Sequence, residues 1–293
     1  MNALTFLERL RSVEVRQLAG SFPDVATIER AFDTAARAPS AQNAQPWRWR
    51  VTPGGVDLYA DWNRRLGDSD NDRRDVLLSC GAVLHHCAVA LAANGWAPRV
   101  RRFPERDDAD HLALIELIEA PPRPADTELA SAIGRRRADR RPYRADSLPA
   151  GSLELLHVRA ERDGLRFGVV PKAHWGRSSE GDVVLQYGGP ADVPADDAVL
   201  LVLGTEIDDD LMRVRAGETL SDVVLAATSM GLATCPLTTP LSDTRSRLSL
   251  ACEIFDGEAY PQVLIRVGWA PDDGDPPPVR GRRSVQETTV WML

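Results

Sequence analysis

Lysine is nearly missing from this sequence. Lys172 is the only one, so arginine carries almost all of the positive charge among the 35 Lys and Arg residues. Asp and Glu number 43, which gives a formal net charge of -8 and a pI near 5.2. That balance disfavours DNA or RNA as the main partner, because phosphate backbones need a net basic face. Cysteine is scarce too, at four residues with no CxxC pair, and a chain of this length needs no disulfide staples. Cys80, His85, His86 and Cys87 lie close together, but in an apolar stretch that reads as a buried helix, where cysteine is a common core residue. No histidine stands out as a general acid or base, and no catalytic side chain is nominated. No run approaches the ~18–20 apolar residues of a membrane span. The first twenty residues mix acidic and basic groups too closely for a signal peptide. These absences predict a cytoplasmic chain without a membrane partner.

What is present is the composition of a globular protein, with 43% hydrophobic and 27% charged residues. The 293 residues suffice for one large or two ordinary domains. Helical spacing predicts a helix over 25–37, ended by Pro39. A polar loop follows to Pro46, then strands over 47–52 and 56–61 with Gly54-Gly55 at the turn. A second helix over 72–95 closes on Asn94-Gly95, and residues 112–119 read as a strand. Residues 120–124 read as an extended connection. Beyond it the pattern gives a short helix over 152–160, strands over 165–170, 183–187 and 199–204, a helix over 210–230 closed by Gly231, and a strand over 262–269. The Pro- and Asp-rich residues 271–278 read as an extended arm.

The two halves repeat one plan. Cys80-Gly81-Ala82-Val83-Leu84 aligns without a gap over Ala216-Gly217-Glu218-Thr219-Leu220, and Asn94-Gly95-Trp96-Ala97 then falls over Met230-Gly231-Leu232-Ala233. The flanking strands match in order. The pattern predicts a fused pseudo-dimer of two related halves, residues 1–124 and 125–293.

Two stretches carry chemistry of their own. In Ala38-Pro39-Ser40-Ala41-Gln42-Asn43-Ala44-Gln45-Pro46-Trp47, Pro39 stops a helix and leaves backbone donors free. Ser40 and Asn43 offer a hydroxyl and an amide at close spacing, a set suited to a polar planar ligand. Arg135-Arg136-Arg137-Ala138-Asp139-Arg140-Arg141-Pro142-Tyr143 supplies guanidinium groups, whose planar fork matches a phosphate.

The first stretch resembles the APSxxNxQPW signature of FMN-dependent nitroreductases, and the second resembles their RRSxRxF string. Gly231-Leu-Ala-Thr-Cys235-Pro236-Leu-Thr238-Thr239 is similar to the family's loop facing the flavin near N5, with Thr238-Thr239 where Glu-Gly is usual. Val279-Arg280-Gly281-Arg282-Arg283 is similar to its basic tail. Together with LLSCGAVLHHCAVALAANGW and RAGETLSDVVLAATSMGLAT, these strings resemble the Acg-type nitroreductase-like proteins of actinobacteria over nearly the whole chain.

The resemblance implies an α+β nitroreductase-like fold and one FMN per chain at the seam of the fused halves, in a monomeric pseudo-dimer or a homodimer. It assigns the cofactor to Ser40, Ala41, Asn43 and Gln45 from the first half. From the second it assigns Arg137, Asp139, Arg141, Pro236, Leu237, Thr238, Thr239, Arg280 and Arg282. Asp139 stands where a hydroxyl is usual, which directs it toward ribityl hydroxyls rather than phosphate. The implied chemistry is hydride transfer from NAD(P)H through flavin N5 to a nitro or quinone-type small-molecule acceptor. The alternative is a non-catalytic FMN-binding protein that stores or sequesters flavin, toward which the missing Glu-Gly leans. Related proteins carry a longer insertion between Val170 and Tyr187 that can cover the flavin.

Overall fold

The first helix, α1 (Val25–Ala35), begins where Asp24 accepts a hydrogen bond from the Thr27 backbone N–H at 2.7 Å. It buries Ile28, Ala31, Phe32 and Ala35, one face of a helix. Strands β1 (Trp47–Thr52) and β2 (Gly55–Ala60) form a hairpin in which Thr52 pairs with Gly55, so Pro53-Gly54 is the turn and Gly55 already belongs to β2. The computed structural model describes residues 22–178, 182–186 and 196–293. The signal-peptide expectation and the end of the strand expected to reach Tyr187 lie outside the described residues.

Helix α2 (Asp70–Ala93) starts on a capping box between Ser69 and Asp72. It leads to β3 (Trp96–Arg102) and β4 (His111–Glu119). Helix α3 (Pro124–Arg135) then connects to α4 (Ser152–Arg162), β5 (Arg166–Val170), the small hairpin β6 (Trp175–Arg177) and β7 (Val183–Leu185), and β8 (Val199–Thr205). Helix α5 (Asp210–Ser229), β9 (Ala233–Leu237), α6 (Thr244–Phe255) and β10 (Tyr260–Gly268) follow, and the chain ends in α7 (Val285–Thr288) and β11 (Thr289–Trp291).

The main sheets run in the orders β11-β1-β2-β4-β3 and β5-β8-β10-β9. Setting β1, β2, β3 and β4 against β5, β8, β9 and β10 makes the two orders the same, and every pairing among these eight strands is antiparallel. The exception is β11, which adds to β1 in parallel, with Trp49 opposite Thr289. The carboxyl-terminal tail therefore completes the sheet of the first half.

Between the sheets α2 and α5 pack along each other. Their contact centres on Gly81 and Gly217, the residues superposed by the gap-free alignment. A Cβ on Gly81 would lie 2.0 Å from the Val214 carbonyl oxygen, and one on Gly217 would lie 2.1 Å from that of Leu78. Leu78 and Val214 are equivalent in the same alignment, so the contact is reciprocal, as across a two-fold axis. His85 and its equivalent Ser221 likewise meet, Nδ1 to Oγ at 2.7 Å.

Several expectations need correction. Contrary to the expectation from apolar runs, helix α2 is long and apolar enough to cross a membrane by length and composition. It is the core helix, with Leu77, Cys80, Val83, Leu84 and Leu91 fully buried. Helix α3 was hidden behind a Pro-rich stretch taken as a connection, although Pro124 occupies the first turn, where a missing N–H costs nothing. The charged faces of β3 and α6 obscured both elements. The Pro236 segment is the edge strand β9, paired with β10, rather than a loop; an edge is where a sheet tolerates proline.

An ion network clamps the helix starts. Arg213 on α5 holds Asp70 of α2 with two bonds of 2.8 and 2.7 Å and Asp208 with one of 2.8 Å, while Arg247 and Gln262 also donate to Asp208. Burial pushes the Asp208 carboxyl up, but the bonds from Arg213 and Gln262 and the charge of Arg247 outweigh it and hold the group at about 2. A carboxyl held below its unfolded value stabilises the fold above about pH 4 and loses that contribution as pH falls toward 2. Relative to Asp208→Asn, the native chain should be more stable by roughly 1–2 kcal/mol at pH 5, discounted for solvent screening. The difference should shrink to nothing near pH 2 in urea titrations; a pH-independent difference would contradict this. Gly81→Ala should cost about 1–3 kcal/mol by overpacking, and an unchanged urea midpoint would show that the helices can part without penalty.

Candidate functional site

The loop after α1 is built from unusual backbone. Gln42, Asn43 and Gln45 take φ values of 46, 62 and 50°, the left-handed region that non-glycine residues seldom occupy. Such strain persists only where surroundings enforce it. Here the enforcement comes from the carboxyl-terminal tail. Asn43 donates through Nδ2 to the Gly281 carbonyl at 3.0 Å and accepts through Oδ1 from Arg282 at 2.9 Å. Gln45 accepts from the Arg283 backbone N–H at 2.8 Å and donates to the Asn43 carbonyl at 3.2 Å. Ser40 Oγ accepts from the Gln45 N–H at 3.2 Å, and the Ala41 N–H points to Ser79 Oγ on α2 at 3.4 Å.

The arginine string lies beside β9, tied by Asp139 N–H to the Thr234 carbonyl at 3.0 Å. Asp139 is buried and spent on Arg141, which it binds through both oxygens. The Asp139 carbonyl accepts from Tyr143 Oη at 2.9 Å. Arg141 in turn reaches the carbonyls of Gly274 and Asp275 and pins the extended arm.

Loop, string, strand and tail together enclose an open cleft of about 1130 Å³. Of the sequence-predicted residues, Ser40, Ala41 and Asn43 line it from the first half. Arg137, Arg141, Pro236, Leu237, Thr238, Thr239, Arg280 and Arg282 line it from the second. Gln45 and Asp139 do not; each is buried behind the wall and holds a lining residue in place. Leu78 of α2 and Leu220 of α5 reach the cleft from either side of the glycine contact.

One end of the cleft is cationic. Among the described residues, none of Arg37, Arg136, Arg137, Arg280 and Arg282 forms an ion pair with a carboxylate. Arg136, which sequence reasoning passed over in favour of Arg137, is the most telling. It is 5% exposed, with Nη2 on the Arg37 carbonyl at 3.0 Å and buried Nε and Nη1 that have no partner. Burial, then repulsion from Arg282 and Arg137, pushes its guanidinium down to about 10. Burial and the charges of Arg37, Arg280 and Arg137 push Arg282 down as well. Arg137 itself binds the carbonyls of Gly134 and Arg136 at 2.9 and 2.8 Å. Its signal in sequence was the whole Arg135–Arg137 run; which member turns inward depends on where α3 ends.

The cysteine–histidine cluster is not directed at this cleft. His85 and His86 both meet Ser221 at 2.7 Å, and Cys80 donates to the Pro46 carbonyl. No group of three potential ligands among the described residues is placed to hold a metal.

No family model matches the chain. Proteins of Mycobacterium tuberculosis do, two of them named nitroreductases. "Putative NAD(P)H nitroreductase Rv3131" is 39% identical over 319 residues, covering 92% of this chain and 93% of that protein. The second, "Putative NAD(P)H nitroreductase acg", is 33% identical over 318 residues, covering 89% of this chain and 94% of that protein. A solved structure from Anabaena variabilis, named a nitroreductase, shares the fold with a TM-score of 0.54 at 10% identity, over 87% of this chain and 91% of that one.

A buried cation without a partner destabilises the ligand-free chain. Arg136→Met should therefore raise its unfolding free energy by about 1–2 kcal/mol in urea titrations without added ligand. A loss of stability would mean that Arg136 is a structural support rather than a group held ready for an anion.

Proposed function

Because the chain belongs to the nitroreductase family, alongside Acg-type proteins, we propose that it binds one FMN in this cleft and works as a cytoplasmic FMN-dependent oxidoreductase. The observation that carries the reading is the buried Arg136, with no carboxylate and with Nε and Nη1 lacking a hydrogen-bond partner, beside Arg137 and Arg282 in a cleft of about the size that ligand pockets have. Charge-assisted bonds to a phosphate would satisfy Nε and Nη1, and clustered arginines suit that dianion. Ser40 and Asn43 offer a hydroxyl and an amide for the ribityl chain. Leu78, Leu220, Leu237 and Val263 give the apolar surface a planar ring requires. Bound FMN would supply two-electron chemistry at N5, taking hydride from NAD(P)H and passing it to a nitro or quinone-type acceptor. The residues of this chain bind, orient and shield. The dividing line proposed at residue 124 separates the two contributions, and one chain supplies both walls.

Flavin storage is the second reading, favoured by Thr238 and Thr239 where the family resemblance places Glu-Gly. An absorption spectrum of the purified protein separates the two. A yellow protein bleached by NADPH supports the oxidoreductase, and one bleached only by dithionite supports storage. A colourless protein that FMN cannot reconstitute contradicts both. Arg136→Ala and Arg137→Ala should each weaken FMN binding by roughly 1.5–3 kcal/mol, measured by fluorescence titration; wild-type affinity in both would remove the phosphate assignment.

A further inference from the structure

The cleft also has an acidic end that the cofactor reading does not use. Asp75 on α2 lines it. Its Oδ1 is buried without a hydrogen-bond partner, and Thr238 lies beside it in the cleft wall. Thr238 follows β9 in the segment whose resemblance points to the reactive edge of the flavin. Ser79, one turn along α2, donates to the Asp75 backbone carbonyl at 2.6 Å and leaves the carboxyl free. The other acids of the cleft, Asp33 and Asp275, are exposed.

We propose that Asp75 is the proton donor that completes reduction of an acceptor bound in this cleft. This rests on the oxidoreductase reading. A quinone that receives hydride, two electrons and one proton from NAD(P)H by way of FMN, becomes a hydroquinone monoanion. One O–H bond must still form. Asp75 in its acid form breaks its own O–H bond to supply that proton, and the carboxylate recovers a proton from water. The overall change is quinone plus hydride plus proton to hydroquinone.

The surroundings favour the acid form. Burial raises the Asp75 carboxyl above its usual range, and Asp72 on the same helix raises it further. The Thr238 hydroxyl and the charge of Arg74, the neighbouring residue on α2, pull the other way without overcoming burial. The leading charge effects on Asp75 come from its helix neighbours Arg74 and Asp72, whereas Arg136 and Arg282 are shifted chiefly by burial and by the other arginines of the cleft.

The test uses the FMN-loaded chain, reduced with dithionite and mixed with 1,4-benzoquinone in a stopped-flow instrument. Asp75→Asn keeps the shape and loses the acid. It should slow reoxidation about 100-fold, within the usual range of general acid catalysis, and flatten its pH profile. Thr238→Val removes a neighbouring hydroxyl that favours the carboxylate, so the profile should move to higher pH. A second readout needs no cofactor: the infrared carbonyl band of a protonated carboxyl should persist in the ligand-free wild type above the usual carboxylate range and be missing from Asp75→Asn. Reoxidation of Asp75→Asn at the wild-type rate across pH, or no such band, overturns this proposal while FMN binding stands. A wild-type chain that holds no FMN overturns the cofactor reading and this one with it.

Discussion

The approach of α2 to α5 at Gly81 and Gly217 sets the geometry on which the rest of the molecule depends. Each glycine sits where even a methyl group would strike the other helix's backbone. Close packing at that point fixes the distance between the two sheets and brings Leu78 and Leu220 to the cleft together. It also places the amino-terminal turns of α2 beside the end of β9, which is how Asp75 meets Thr238. The cleft is thus a consequence of helix packing before it is a consequence of any polar residue.

The same contact would create a second, equivalent seam, and the sequence treats it differently. The gap-free alignment sets Ala82 against Glu218 and Thr238 against Arg102. On the second side Glu218 takes two bonds from Arg102, of 2.6 and 2.8 Å, the Asp163 backbone carbonyl accepts from Arg215, and the Asp163 carboxylate accepts from Thr219. The Arg102–Glu218 ion pair occupies that seam, whereas the first leaves Arg136 without a carboxylate and its Nε and Nη1 without a hydrogen-bond partner. A cationic cluster without a carboxylate partner on one side and the Arg102–Glu218 ion pair on the other is the asymmetry that argues for one ligand per chain.

Much of this was legible in the sequence. The helix pair, its glycine alignment and the hairpin after the loop followed from periodicity and turn residues, because those signals are local. The Ser40, Asn43, Arg137 and Arg282 strings were readable as motifs, and they converge on one cleft. What could not be read was which member of an arginine run is buried. Arg136 rather than Arg137 is sequestered, because that depends on the residue at which α3 ends and on Arg37 from a distant helix. Asp139 looked like a ligand and is instead the partner of Arg141, while Asp75 gave no motif at all. Its position is tertiary, set by α2 against β9. The parallel docking of β11 on β1 escaped for the same reason.

The central claim is that an unpartnered arginine cluster at one seam exists to hold a phosphate-bearing flavin. Calorimetric titration of the cofactor-free chain with FMN and with riboflavin, which lacks only the phosphate, tests it most directly. The account predicts one FMN per chain and riboflavin binding weaker by at least about 100-fold, the scale of two charge-assisted hydrogen bonds. Equal affinity for the two flavins, or two FMN per chain, would contradict it.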